Sequence, residues 1–534
     1  MRSWDWQTIF GLDTDRHRIG RSFAVRGLGL IYFIAIISWW SQIGLLVGEN
    51  GLLPAAKLQE WFAEQALAAG ESAFFQLPSL FWWIGASDFA MQFACFLGCL
   101  LAALVIIGRF TAPSLVGLWF LYLSFVNTGG VFMSFQWDIL LLEAGFLGIF
   151  LGSWSMKMSW RNPPPLTVVN RVALVTAWFL LAKLLFFSGW VKLAWVSEAS
   201  PEWRLGGDAM TFHYMTQPIP TWTAWWVHHW PAWFHRASLV PMYGIELLLP
   251  FAICFGRWGR LAAAVGCSVL MVLILLTGNY TYFNWLTIVL CLPLVQDKLW
   301  PGFLRKWLKF EPLGLEVPSS LRPIAMNFVF AGPILFVILL LNLGTVLNDF
   351  HRAPNSLFSR NLVPGWLARL QAEMAPFHLV SGYGLFRTMT TERPEILLEG
   401  SEDGTNWVAY DFVWKVDEIS DAPKFVAPHQ PRVAWQFWFA ALEGRFDYQS
   451  RNATWIEALV LKLLNGDPKV RQLLKNDPFP VDPPKWIRAR LFRYEFTTFA
   501  ERKETGNWWK REVIGEYLPP VALPPVTDRK ITTP

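Results

Sequence analysis

The stretch GGVFMSFQWDILLLEAGFLGIF, residues 129–150, decides the fold class. It has the length and apolarity of a helix that crosses a bilayer, about 17–25 residues, yet it carries Asp138 and Glu143. A carboxylate at the centre of a membrane helix costs roughly 2.5–3.5 kcal/mol or more unless something compensates it. Each must therefore meet a cation on a neighbouring helix or line a polar, hydrated site.

The rest of the chain supports a membrane setting. Of 534 residues, 54% are hydrophobic and only 16% charged, against about a quarter charged in ordinary soluble domains. The 33 tryptophans suit a chain with much surface at headgroup level. The net charge of +5 is spread over segments flanking apolar runs, so it reports topology and gives no case for a nucleic-acid partner. All five cysteines (Cys95, Cys99, Cys254, Cys267 and Cys291) fall in apolar segments. No disulfide framework or zinc spacing results, and Cys95 with Cys99 reads as two small packing residues. The polar, Arg-rich first 21 residues contain no signal-peptide core.

Apolar runs of spanning length occur near 27–46, 87–107, 113–128, 131–152, 171–194, 239–256, 261–278, 282–297 and 323–346. This predicts a polytopic α-helical membrane protein of about nine spans. FFQLPSLFWWIG (74–85) is too short and proline-broken to span and reads as interfacial or re-entrant. With the N-terminus inside, the inner side collects Arg2, Arg16, Arg18, Arg21, Arg26, Arg109, Lys157, Arg161, Arg171, Arg257, Arg260, Lys298, Arg305, Lys306, Lys309 and Arg322. The outer loops hold only Lys57, Arg204 and Arg236, with Lys192 at a boundary. That asymmetry predicts an inner N-terminus and an outer C-terminus.

Residues 1–349 thus form the multi-span domain, including a long aromatic outer loop, 195–238, placed on the membrane surface. Residues 350–534 form an outer, β-rich domain. Within it, EILLEG and WVAYDFVW around SEDGTN predict a β-hairpin at 393–416. NATWIEALVLKLLNGD (452–467) predicts an amphipathic helix and PPKWIRARLFRYEFTTF (483–499) a further strand. No internal repeat stands out.

The intramembrane polar residues are Gln136, Asp138, Glu143, Lys183 and Glu246, with Lys192 at a span end. At about 1.5 Å rise per residue, Glu143 and Lys183 lie at matching depth and predict an ion pair. Asp138 is rotated from Glu143 by about 140° on the helix and lies nearer the level of Lys192. One reading is a hydrated cavity open to the outside and lined by Gln136, Asp138, Lys192 and Glu246; the other is interhelical pairing throughout. His213 and the adjacent His228 and His229 occupy the outer loop, and His429 the outer domain. Their spacing suits interfacial packing rather than a metal site. No metal or cofactor is expected, and phosphate loops, G-x-S-x-G and H-E-x-x-H are absent from the sequence.

Several of these segments, in order, resemble the lipase maturation factors: SFQWDILLLEAGFLGIFL, FHYMTQPIPTWTAWWVHHWPAWFH, LTGNYTYFNWLTIVLCL, RPEILLEGSEDGTNW, FVAPHQPRVAWQFWFAALE, DPFPVDPPKWIRARLFRYEFT and WWKREVIGEYLPP. Known animal members reside in the endoplasmic reticulum membrane and serve the folding and assembly of dimeric secreted lipases. The resemblance therefore implies a membrane-embedded, chaperone-like and non-enzymatic maturation factor. Its partners would be secreted clients such as lipases, and it places His429, Gln430 and Arg432 in a motif of the client-binding domain. The outer domain here has no cysteine, so thiol exchange by that domain is not implied. The compact loops and the missing lumenal retention signal point to a bacterial inner membrane with the C-terminal domain periplasmic; in a eukaryote the same topology would place it in the endoplasmic reticulum membrane with that domain lumenal.

FFSGWVKLAWVSEASPEW (186–203) is also similar to a segment of the vitamin K-dependent carboxylases, in which a lysine ending a span is catalytic. That similarity implies an alternative: a membrane enzyme using Lys192 as base, with Asp138 or His213 beside it, on a lipid or lipid-presented substrate. Burial would lower a lysine's pKa toward a useful range. A transporter is a third reading, without the discontinuous helices or inverted repeats that would favour it.

Overall fold

Helix starts and glycine positions in the sequence explain how the bundle is laid out. The computed structural model describes residues 16–198, 200–311, 321–352, 362–384 and 386–524, with the side chains of 321–330 and 352 excepted. Arg2, the side chain of Arg322 and the end of the outer domain beyond 524 lie outside the described residues.

The helices are α1 (Arg18–Trp40), α2 (Ala55–Ala69), α3 (Asp88–Ile107), α4 (Thr111–Thr128), α5 (Gln136–Leu151), α6 (Val168–Ala194), α7 (Ala209–Thr216), α8 (Trp222–His228), α9 (Ala232–Tyr243), α10 (Gly256–Thr277), α11 (Phe283–Cys291), α12 (Leu321–Arg352), α13 (Gly365–Met374), α14 (Arg432–Ala441) and α15 (Ala453–Leu464). Ser87 caps α3 by accepting from the amide of Ala90, and Gly108, at φ +77, ends it. Thr167 and Asn170 form a reciprocal capping box that starts α6.

Five helices are long and apolar enough to cross a membrane: α1, α3, α6, α10 and, within α12, Ala331–His351. The other four expected spans are helical without meeting that length and apolarity. They are α4, α5, α9 with its continuation, and Phe283–Leu294. The first span is also displaced. It begins at Arg18 rather than near residue 27, because carbonyls of the 158–165 connection receive its arginines. Arg18 Nε donates to Pro163 O at 2.7 Å and Arg26 Nη2 to Met158 O at 2.5 Å, while Arg21 Nη1 reaches Asn170 Oδ1 at 2.8 Å. The 239–256 run is a helix interrupted by a π turn, Gly244–Leu248, with Pro241 and Pro250 on either side. Residues 74–85 hold two single-turn helices.

α1 packs against α3, α5 packs against α4 and α6, and α10 packs against α11. Small residues set the close crossings. A Cβ on Gly145 of α5 would lie 1.8 Å from the Tyr32 hydroxyl of α1.

The strands are β1 (Arg393–Ser401), β2 (Val408–Ala409), β3 (Asp411–Phe412), β4 (Leu474–Asn476), β5 (Trp486–Phe496) and β6 (Trp509–Ala522). They form an antiparallel sheet in the order β2-β1-β5-β6 and a separate β3-β4 pair. The expected hairpin is present, with Glu399 opposite Ala409, although its second strand is only two residues long. The expected helix at 452–467 and strand at 483–499 correspond to α15 and β5. Ile396, Leu398, Ile487, Ala489 and Leu491 pack with α14 and α15. Leu397, Phe492, Tyr494 and Phe496, on the alternate face, close over Trp225 of the 195–238 loop.

Candidate functional site

Asp138 sits in the first turn of α5, where the helix dipole favours a negative charge. Its cation comes from the far end of the chain. Arg432, opening α14, donates from Nη1 to Asp138 Oδ2 at 2.9 Å and from Nη2 to Oδ1 at 3.0 Å. Tyr122 of α4 and Tyr282 before α11 each donate to Asp138 Oδ1 at 2.5 Å. Arg432 also bonds the carbonyl of Phe132. The fork geometry satisfies both carboxylate oxygens, which a buried ion pair needs if it is to repay its desolvation.

The rest of the HQPR motif docks beside this pair. His429 Nδ1 lies 3.0 Å from Ser38 Oγ, and the amide of Gln430 donates to the same oxygen at 2.9 Å. Trp137 Nε1 donates to Gln430 Oε1 at 2.8 Å, and the amide of Arg432 donates to Gln42 Oε1 at 3.0 Å. Gln430 and Arg432 are fully buried. These residues join the C-terminal domain to the ends of α1 and α5, with His429 still partly exposed. Trp435 of α14 meets the Trp137 ring edge-on at 4.8 Å, which seals the contact.

Deeper in the bundle, Lys183 Nζ lies 2.7 Å from Glu143 Oε1 and 2.7 Å from Asn342 Oδ1 of α12. The expected pair is thus made, and it has further partners. Glu143 Oε2 accepts from Tyr383 Oη at 2.6 Å and from the amide of Ser381 at 3.1 Å. Gln136 Oε1 lies 3.5 Å from the amide of Gly384 in the same returning segment.

Lys192, at the end of α6, is not at Asp138. Its Nζ lies 2.7 Å from both oxygens of Glu246, on the π turn beyond α9. The single cavity expected to hold Gln136, Asp138, Lys192 and Glu246 therefore does not form. Asp138 is enclosed by Arg432 and two tyrosines, because helix rotation turns it away from α9. Lys192 and Glu246 instead face a separate cavity of about 830 Å³ between α6, α9 and α10 and the outer loop. His213 joins them there, with Nε2 3.4 Å from Tyr280 Oη. Its ring is partly exposed where it lines the void but otherwise packed in protein, and that burial, with the charge of Lys192, lowers its pKa to about 4. His228 and His229 pack under the sheet against Phe496 and Phe499. Among the described residues no three His, Cys, Asp or Glu side chains group as metal ligands.

Sequence reasoning missed a second buried charge cluster. Arg393 pairs with Glu395 at 2.6 Å, Lys415 with Glu395 at 3.3 Å and Lys415 with Asp417 at 2.5 Å. Arg393 also donates to the carbonyls of Met215 and Pro218, each at 3.0 Å, tying β1 to the outer loop. The signal was the alternation Arg393, Glu395 along one strand face. Tyr122 and Tyr282 were missed as well, being polar only at their tips.

The chain is similar to known proteins along nearly its whole length. Residues 19–302 match the family described as lipase maturation factor transmembrane domain, and residues 379–519 match the lipase maturation factor C-terminal domain. It is 32% identical to Lipase maturation factor 2 of Xenopus tropicalis, covering 96% of this chain and 84% of that protein. It is 31% identical to Lipase maturation factor 1 of Mus musculus, with 96% and 88% covered, and 30% identical to that of Homo sapiens, with 96% and 89% covered. No solved structure matches it.

Proposed function

The chain belongs to the lipase maturation factor family, and we propose that it assists the folding or assembly of secreted proteins, lipases among them, from within a membrane. It is an integral, multi-pass membrane protein. We place nine spans in it, the N-terminus inside, a domain boundary near 350, and the C-terminal domain on the periplasmic face of a bacterial inner membrane.

What supports this topology is the alternation of helix ends. Arg18 and Arg26, the 158–165 connection and Asp297 meet at one end of the bundle. Ser38, Asp138, Asn279 and the C-terminal domain meet at the other. The first end carries most of the flanking basic residues, as a cytoplasmic side would.

The observation that carries the client role is the outer strand of the sheet. β6 ends the strand order, and residues 510–516 are exposed, with Val513 51% and Ile514 42% accessible. Among the described residues no strand pairs along its outer edge. A strand edge of this length that no other described strand covers, with Val513 and Ile514 exposed at its centre, is a template for adding an extended segment of another chain, and a partly folded secreted protein supplies such segments. Lys510, Arg511, Glu512 and Glu516 interrupt the apolar surface, as edge strands that must not self-associate require.

The test is the secreted proteome of a host deleted for this chain, complemented with wild type or with Val513→Glu/Ile514→Lys. Loss of particular secreted proteins, lipase activity among them, should be rescued by wild type and poorly by the edge variant. An unchanged secreted proteome on deletion overturns the reading. The carboxylase-like alternative draws no support from the geometry. Asp138 is committed to Arg432, and Lys192 is clasped by both oxygens of Glu246.

A further inference from the structure

The 830 Å³ cavity is not used by the docking network or by the strand edge. It lies in the upper part of the size range of ligand pockets, about 300–1,000 Å³. Its lining is apolar over most of its surface, with Leu184, Met242, Met271 and Phe283 among the walls.

Its two ends differ. Trp230, Trp233, Leu273 and Leu276 line one end and are 48%, 70%, 55% and 51% exposed. Leu273 and Leu276 continue the exposed apolar stripe of α10 formed by Val265, Val269 and Val272, the face that lipid chains cover in a membrane protein. Paired tryptophans at the end of such a face mark the headgroup level. The mouth therefore opens sideways toward the bilayer near its surface.

The other end is buried and polar. Lys192, Glu246, Trp203 and Tyr280 are each at most 7% exposed. Among the described residues of the lining only Lys192 and Glu246 are charged, and they neutralise one another.

We propose that this cavity binds an uncharged, chain-bearing membrane lipid, its chains along the apolar walls and its hydroxyl or ester carbonyl at the closed end beside Lys192, Glu246 and Tyr280. A phosphate head would bring an unpaired negative charge to a net-neutral, buried floor, a cost of several kcal/mol. A hydroxyl or ester brings no charge to that floor and leaves the Lys192–Glu246 pair intact. The site goes beyond the client role and needs no client to be occupied.

The experiment uses the full chain in phosphatidylcholine vesicles and two photoactivatable probes with the same diazirine-bearing chain, a diacylglycerol and a phosphatidate. The diacylglycerol probe should label peptides containing Met210, Met242 or Met271 about tenfold more than the phosphatidate, and unlabelled dioleoylglycerol should displace it. Ala237→Trp, at an exposed position on the cavity wall, should remove most of that label while the melting temperature holds. Ser238→Trp serves if the first variant fails to fold. Equal or stronger labelling by phosphatidate, label that ignores both plugs, or displacement by an apolar helical peptide but not by dioleoylglycerol overturns the proposal. None of these results bears on secreted-protein maturation, so the two readings fail separately.

Discussion

Arg432 Nη1 lies 2.9 Å from Asp138 Oδ2, joining positions 294 residues apart, and neither side chain is exposed. The bundle and the C-terminal domain are thus held in register by a pair that works only when both are folded. Removing one partner strands the other charge, at a cost of about 3–5 kcal/mol. Arg432→Met and Asp138→Leu alone should each sharply lower abundance and melting temperature of the full chain in detergent. The double variant should recover part of the loss, since two apolar side chains leave no buried charge. Single variants that melt like wild type would remove the pair from its docking role.

Glu143 ties three elements with one carboxylate: Lys183 of α6 on Oε1, and Tyr383 and Ser381 of the returning segment on Oε2. Glu143→Gln keeps the shape but removes the charge opposite Lys183, and its single amide oxygen can accept from Lys183 or from Tyr383 and Ser381 but not from both sides, which weakens the tether at 381–383. Limited proteolysis should then cut between residues 375 and 390 faster than in wild type, before the bundle unfolds. Unchanged cleavage there would show that the segment is held by other contacts.

These two pairs also mark how far the sequence was legible. Glu143 and Lys183 sit on consecutive helices, so equal depth was enough to match them. Asp138 could not be matched that way, because its partner lies in another domain, in a motif that read only as client-domain sequence. Depth likewise set Lys192 level with Asp138, but pairing also depends on helix rotation, which a one-dimensional depth estimate does not carry. The π turn that presents Glu246 to Lys192 leaves no clear mark in an apolar run. By contrast, β1, α15 and β5 were readable because alternation and helical periodicity are local properties.

Acid should loosen the outer loop. His213 has its pKa lowered to about 4 by burial and by Lys192, from an ordinary 6.5. A histidine held neutral contributes stability that is full above pH 6.5 and is lost as the pH falls toward 4, up to about 3 kcal/mol. His228, also lowered to about 4, mainly by burial, adds in the same sense. Asp417 acts oppositely: burial pushes it up to about 6, so lowering the pH through that value favours the fold. Comparing His213→Phe with wild type cancels the other groups. The variant should lose less melting temperature between pH 7.5 and 5; identical slopes would mean that His213 is not held neutral.

The joint between α6 and the π turn should be intolerant of a single methyl group. A Cβ at Gly189 would lie 2.9 Å from Glu246 Cβ and 2.9 Å from Leu247 Cδ2; the leucine tip can rotate away, but Glu246 Cβ cannot move without moving the turn. Gly189→Ala should therefore push Glu246 away from Lys192, one helical turn further on, at a cost of about 1–3 kcal/mol. Gly244→Ala is the internal control. It lies in the same turn, has φ −57, and its Cβ would meet nothing within 4 Å, so it should be neutral or mildly stabilising, by about 0.4–1 kcal/mol. Thermal unfolding of the two variants in the same detergent separates close packing from a general effect of losing glycine. Equal melting temperatures would mean that the α6 crossing has slack, and that the Lys192–Glu246 contact does not depend on the glycine beneath it.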